Sequence, residues 1–337
     1  MVVNNYDYAW CLADAVDSAL AQTHPDVEVV VVDDGSTDAS VDLLRGYGDA
    51  VVLVLKENGG QASAMNAGFA ASTGEFVVFL DADDTLAPHA VERAVAAWAP
   101  GVAKVQWRLD VVDAERRPLG YSHPPASQPA VQGDVLPDLL RRGRYVTSMT
   151  SGNLFARSVL EAVLPIPEAG YRIAADGYLV SVVPFHGAVV TVDEALGEYR
   201  RHGSNSWSMQ TLDVARLRSF VTHNEARHRL VRDEARARGM VVADDLGWSD
   251  AQHVRSRLVH RRSSGREAAD PDLAAPRSAV ALAARGARLS LTDPDLAPWR
   301  RAVLAGWFAV VAVAPRPVVS RLAEWAYVPH KRPGRRG

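Results

Sequence analysis

FVVFLDADDTL, residues 76–86, runs five apolar residues straight into Asp81, Asp83 and Asp84. Three neighbouring carboxylates repel one another unless something positive sits among them. The strand that carries them is the fourth in a regular series. MVVN opens the chain as a clipped first strand, and apolar residues at Leu12, Ala15, Val16, Ala19 and Leu20 follow with helical spacing within Tyr8 to Thr23. Val27 to Val32 is a nearly continuous β-branched run, as in a strand covered on both faces. It ends in DDGSTD, where Ser36 or Thr37 followed by Asp38 offers N-capping chemistry for a helix through Leu44. Val51 to Leu55 predicts a third strand, Gln61 to Ala71 an alanine-rich helix, and Pro88 to Trp98 a helix after the acidic run. Such alternation implies a parallel sheet with right-handed crossovers, in which ligands bind beyond the carboxyl ends of the strands. Asn5 to Asp7, Asp33 to Ser36 and Asp81 to Asp84 all fall at such ends.

The chain has 337 residues, 48% hydrophobic and 23% charged, with a net charge of −3. That is an ordinary globular composition, and it gives no sign of a nucleic-acid partner. The charge is uneven: residues 251–337 hold 16 Lys and Arg against 6 Asp and Glu. Cys11 stands alone, so no disulfide forms within the chain, and a reducing, cytoplasmic setting fits. The longest apolar run, AVLAGWFAVVAVA (302–314), has thirteen residues, short of the ~20 that a membrane-spanning helix needs.

By itself LDADDT has three readings. One is a D-x-D site, where a divalent cation bridges carboxylates and the two phosphates of a nucleotide diphosphate. Another is the D-x-D-x-T signature of haloacid-dehalogenase-type phosphatases, with Asp81 as nucleophile. The third is a turn after a strand. Context favours the first. A phosphatase needs a downstream lysine and a second acidic pair, whereas this chain has only Lys56, Lys104 and Lys331. VVVDDGSTD lies ~48 residues upstream of LDADD at the end of its own strand. ENGGQASAMNAGFAASTGEFVVFLDADD, TSGNLFAR (150–157), YRIAADGYLV (171–180) and GEYRRHGSNSW (197–207) follow in order. Over residues 1–207 the series resembles the family 2 inverting glycosyltransferases. The resemblance implies an α/β GT-A fold, a Rossmann-like mixed sheet flanked by helices, over residues 1–210, with a helical extension over 211–337.

The resemblance also implies roles. Asp34 would accept a hydrogen bond from the base of a UDP- or dTDP-sugar, Tyr6 would stack on it, and Asn4 would lie beside it. Asp81 would face ribose and metal, Asp83 would be the principal ligand of Mn2+ or Mg2+, and His202 would complete the metal shell. Asp176 would be the general base toward an acceptor hydroxyl, and Arg200 or Arg201 would neutralise the leaving group. Each has a plainer alternative: a helix cap for Asp34 and Asp176, a loop histidine for His202, packing for Tyr6. The Q-x-x-R-W sequence of processive synthases is absent, which favours transfer of one sugar, as in cell-envelope polysaccharide assembly. A non-catalytic nucleotide-sugar-binding scaffold is the other alternative.

Beyond residue 208 the resemblance gives little. Arginines dot Leu212 to Gly239, as on a solvated helix. Ser263 to Pro276 predicts a linker. The Trp-bearing AVLAGWFAVVAVAPRP (302–317), flanked by Arg300, Arg301, Arg316 and the tail KRPGRR, suggests peripheral contact with a bilayer surface at the inner face of the membrane. A lipid-linked acceptor would explain such an element; the alternative is an ordinary core helix that closes the domain.

Overall fold

A computed structural model describes residues 1–203, 205, 213–264, 278–293 and 296–327. Most of the expected linker and the basic tail lie outside these residues. The chain divides into two compact units, residues 1–136 with 146–206, and residues 137–145 with 207–337.

The first unit alternates as the sequence predicts: β1 (Val2–Asn5), α1 (Leu12–Leu20), β2 (Val30–Asp33), α2 (Ser40–Arg45), β3 (Val52–Leu55), α3 (Gln61–Ala71) and β4 (Phe76–Asp81). The chain continues through β5 (Thr85–Leu86), α4 (Ala90–Ala96), β6 (Val102–Val112), β7 (Pro118–His123), β8 (Gln132–Gly133) and α5 (Leu136–Arg142), which belongs to the second unit from Pro137 on. Then come β9 (Asn153–Ala156), α6 (Arg157–Val163), α7 (Asp176–Val182) and β10 (Ala188–Arg200). The strands lie in one mixed sheet, in the order β3-β2-β1-β4-β9-β6-β10-β5. β1 to β4 are parallel, and β9 runs antiparallel between β4 and β6. β1 pairs with β2 along all four of its residues and with β4 along three. The register sets Asn4 beside Asp81 and Asn5 beside Asp33. Three polar strand ends thus stop at one level.

The apolar positions of α1 (Leu12, Ala15, Val16 and Ala19) are buried with Val3, Val31, Leu80 and Trp107 in the core. Several elements differ from expectation. Ser36 and Thr37 do not begin a helix. Their polar groups bind Asn5 and Asp7 instead, and α2 starts at Ser40, whose N–H donates to Asp38. Tyr121 to Asp134, Pro- and Gln-rich, reads in the sequence as loop, yet it holds part of β7 and all of β8. Pairing with β6 and β10 overrides weak strand propensity there. Ala188 to Val192 and Leu196 to Arg200 read in the sequence as two separate strands; they are one strand, β10, whose pairing with β6 shifts register between Val192 and Ala195.

The second unit is helical: α8 (Val214–Ala237), α9 (Ala251–Ser264), α10 (Ala279–Leu291), α11 (Pro298–Val313) and α12 (Arg316–Tyr327). Asp213 caps α8, accepting the N–H groups of Ala215 and Arg216. Leu217, Val254, Leu258, Leu282, Phe308 and Val319 share its core. α8 is more than a solvated helix. Leu217, Val221, Glu225, His228, Val231 and Ala235 form one buried face with the three- and four-residue spacing of a packed seam. The His228 and His253 rings meet edge to face at 4.9 Å, and Cβ atoms added at Gly143 or Gly247 would run into the His228 ring.

Two tests follow from the packing. A Cβ on Gly68 of α3 would lie 2.2 Å from Val2 Cγ1 and 3.0 Å from Val32 Cγ2. Gly68→Ala is expected to destabilise the first unit by about 1–3 kcal/mol, read from urea unfolding; an unchanged midpoint would refute this packing. In the second unit, burial and then the nearby His253 push His228 down to about 3. Between that value and the ordinary histidine pKa of about 6.5, the unfolded chain binds a proton that the fold refuses. Stability contributed by neutral His228 is therefore present above pH ~6.5 and lost as pH falls toward 3. The wild-type melting temperature should drop more steeply through this window than that of His228→Asn. Parallel curves would remove His228 as the cause.

Candidate active site

The acidic loop sits where β4 ends. Asp83 and Asp84 are buried, Asp81 partly so, and one oxygen from each lies within 4.8 Å of the others. Removal from water, and then the Asp83 carboxylate, push Asp81 up to about 7; the same two causes raise Asp84. Neutral donors hold the cluster in place. Asp81 Oδ1 accepts from Asn4 Nδ2 at 2.9 Å and from Gln61 Nε2 at 3.0 Å. The Ser151 hydroxyl accepts the Asp81 N–H at 3.1 Å and donates to Asp84 Oδ2 at 2.6 Å. The Arg200 N–H donates to Asp84 Oδ1 at 2.9 Å. His202 Nε2 lies 2.8 Å from Asp83 Oδ2, which also accepts from Asn205 Nδ2 at 3.1 Å. The rings of Tyr8 and Trp10 meet His202 edge to face, at 5.5 and 5.3 Å. Three clustered carboxylate oxygens, two of them on groups resisting ionisation, are a donor set suited to a hard divalent cation.

Asp176 is the first residue of α7, with Ala175 in the cap position. Gln61 links it to the acidic loop, since Gln61 Oε1 accepts the Ala175 N–H at 2.9 Å while Nε2 holds Asp81. The charge of Asp176 is among those that raise Asp81.

At the end of β2, Asp34 is buried and ties down the next loop. It accepts from Lys56 Nζ at 2.7 Å and from the N–H groups of Gly59 and Gly60 at 2.9 and 2.6 Å. Gly60 has φ +89°, and a Cβ there would strike Arg172, so only glycine fits this turn. Tyr6 is half-exposed on the loop after β1. Arg200 turns its side chain away to Asp14, at 2.5 Å, and lies 5.4 Å over the Trp10 ring. Arg201 reaches the Tyr121 hydroxyl at 3.3 Å. The fold thus gathers Asn4, Asp81, Asp83 and His202 through direct hydrogen bonds, and Asp176 through Gln61. Asp34, Tyr6, Arg201 and the side chain of Arg200 stand apart from that network, although the Arg200 backbone N–H reaches Asp84.

Residues 1–164 match the family described as Glycosyl transferase family 2. These residues belong to that family. The chain is 39% identical over 212 residues to the uncharacterized glycosyltransferase alr2836 of Nostoc sp., covering 61% of this chain and 65% of that one. It is 40% identical over 121 residues to the succinoglycan biosynthesis protein ExoO of Rhizobium meliloti, covering 35% of each chain. The chain therefore spans just under two thirds of the first relative and about a third of the second. Two solved structures share the fold. S. aureus TarS 1-349 in complex with UDP has a TM-score of 0.50 at 15% identity over 93% of this chain and 92% of its own. The mannosyltransferase PcManGT of Pyrobaculum calidifontis, in complex with GDP-Man and Mn2+, has 0.50 at 20% identity over 92% and 84%. The architecture is that of a GT-A glycosyltransferase with a helical C-terminal region.

Sequence reasoning missed Lys56, Gln61, Ser151 and Asn205. Gln61, Ser151 and Asn205 lie inside the quoted motifs and Lys56 directly before one of them, so the signal was present as polar residues beside the named acids. Lys104 had none. It is fully buried in β6, donating to Gln106 Oε1, Thr147 Oγ1 and Asn153 Oδ1 at 2.8–2.9 Å, and burial holds it well below the usual lysine range. A lysine in an apolar run reads only as strand.

Removing the hydroxyl that joins Asp81 to Asp84 tests the cluster. Ser151→Ala is expected to weaken Mn2+ binding about 10–100-fold without unfolding the protein, measured by titration calorimetry. Unchanged affinity would show that this bond does not shape the cation site.

Proposed function

We propose that the protein is a metal-dependent inverting glycosyltransferase that moves one sugar from a UDP- or dTDP-sugar to a hydroxyl acceptor. The observation that carries this reading is the trio Asp81, Asp83 and Asp84 at the carboxyl end of a parallel strand, linked through Gln61 to the loop that presents Asp176. The nucleotides bound in the two structural neighbours, UDP and GDP-Man, support a nucleotide-sugar donor. The succinoglycan relative supports an envelope polysaccharide or glycoconjugate as product.

In this reading Asp83 and Asp81 hold Mn2+ or Mg2+, with His202 beside Asp83. The bound cation offsets the charge that builds on the departing diphosphate. Asp34 and Lys56 face the base, Tyr6 stacks on it, Asn4, whose buried Oδ1 lacks a partner among the described residues, lies beside it, and Asp81 faces the ribose. Asp176 takes the proton of the acceptor hydroxyl. The freed oxygen bonds to the anomeric carbon from the face opposite the diphosphate, and the bond from that carbon to the diphosphate oxygen breaks. One such displacement inverts the centre. Arg201 screens the leaving group, whereas Arg200 is committed to Asp14. The phosphatase alternative needs a lysine at Asp81, yet Lys56 binds Asp34 and Lys104 binds Gln106, Thr147 and Asn153.

The test is nucleotide release from a panel of UDP- and dTDP-sugars with Mn2+ and candidate acceptors. Asp176→Asn is expected to lower turnover about 10²–10⁴-fold while binding of UDP with Mn2+ persists. Full activity in that variant would remove Asp176 as base. Binding without turnover across all acceptors would favour a scaffold, and release of phosphate from aryl phosphates would favour the phosphatase.

A further inference from the structure

We propose that the outward face of α11 docks on an anionic lipid surface. α11 carries no charged residue from Ala302 to its end at Val313. Its inner side places Phe308 and Val311 in the core of the second unit, with Trp307 packed against them. Its outer side is equally apolar. Trp299, Val303, Gly306, Val310 and Val313 recur at intervals of four and three, so they form one stripe along the helix. Trp299, Val303, Val310 and Val313 are 64%, 60%, 47% and 77% exposed. A helix that is apolar all round is ordinarily covered all round. Among the described residues nothing covers this stripe.

The charge around it selects the occupant. Residues 296–337 contain eight Lys and Arg against one Glu, in a chain whose net charge is −3. Arg300 lies at one end of the stripe with its guanidinium 5.2 Å from the Trp299 ring, and Arg316 follows the other end. A second copy of the chain joined by a two-fold axis would set two such positive surfaces against each other, and like charges across an interface are penalised. An anionic bilayer offers negative headgroups to the arginines and hydrocarbon to the valines, with an indole at the boundary between them. The sixteen residues of α11 span ~24 Å, and no described helix is long and apolar enough to cross a membrane. The helix therefore lies along the surface. This contact does not depend on the transferase reading, because it is argued from residues of the second unit alone.

The experiment is co-sedimentation of the full chain with vesicles of phosphatidylcholine alone, or mixed with phosphatidylglycerol. Wild-type protein should pellet only with the anionic vesicles, and less so as salt rises. The double variant Val303→Asp, Val310→Asp should stay in the supernatant. The double variant Arg300→Ala, Arg316→Ala should bind about 25-fold more weakly, at about fivefold per arginine. All four positions are exposed, and melting curves will verify folding. UDP binding provides a separate readout of the first unit. No pelleting with anionic vesicles, or equal pelleting of wild type and variants, overturns the proposal. A dimer in light scattering that the valine variant splits would assign the stripe to a second copy and overturn it as well.

Discussion

Three carboxylates crowded at the end of one strand must be kept together against their own repulsion. No guanidinium or ammonium group bonds to Asp81, Asp83 or Asp84 among the described residues. Their donors are two side-chain amides and a hydroxyl, a backbone N–H, and the imidazole and amide of His202 and Asn205. Such groups fix geometry but leave most of the charge unbalanced; burial first, and then the neighbouring carboxylates, make Asp81 and Asp84 resist ionisation. The same donors decide how distant segments fold. Asn4 comes from β1, Gln61 from α3, Ser151 from the turn before β9, and Arg200 and His202 from the end of β10. The acidic loop is the point at which residues nearly two hundred positions apart in the chain meet.

Most of the first half was legible in the sequence because its elements bury one face or two with clear periods. The apolar spacing of α1, the β-branched run of β2 and the strand into Asp81 each have one cheap solution in a parallel sheet. The aligned strand ends then follow from register. Past residue 113 the elements owe less to local pattern. β7 contains proline and glycine, β9 is four residues long, and each exists because β6 offers it a partner. The site shows the same division. The acids were readable because carboxylates at strand ends have few uses. Gln61 and Ser151 were not singled out, because an amide or hydroxyl in a motif reads equally as packing, and only their distances show what they hold.

The interior polar network of the first unit closes the chain of support behind the acidic loop. Lys104 sits in β6 with three neutral oxygens around its amine. Two of those oxygens belong to Gln106 and Asn153, and their amide nitrogens are spent on carbonyls of residues 146 and 149–150 and on Thr191. Amides so committed at the nitrogen can only present oxygen to Lys104. The lysine therefore orients both amides, and Asn153 in turn clamps the Met149 and Thr150 carbonyls. The next residue is Ser151, whose hydroxyl joins Asp81 to Asp84. A buried amine thus fixes the turn that fixes the acids, through bonds that each remove one freedom from the next. Burial leaves an amine with unmet donors at high cost, so Lys104 tolerates no looser arrangement, and the turn beneath the acidic loop inherits that rigidity.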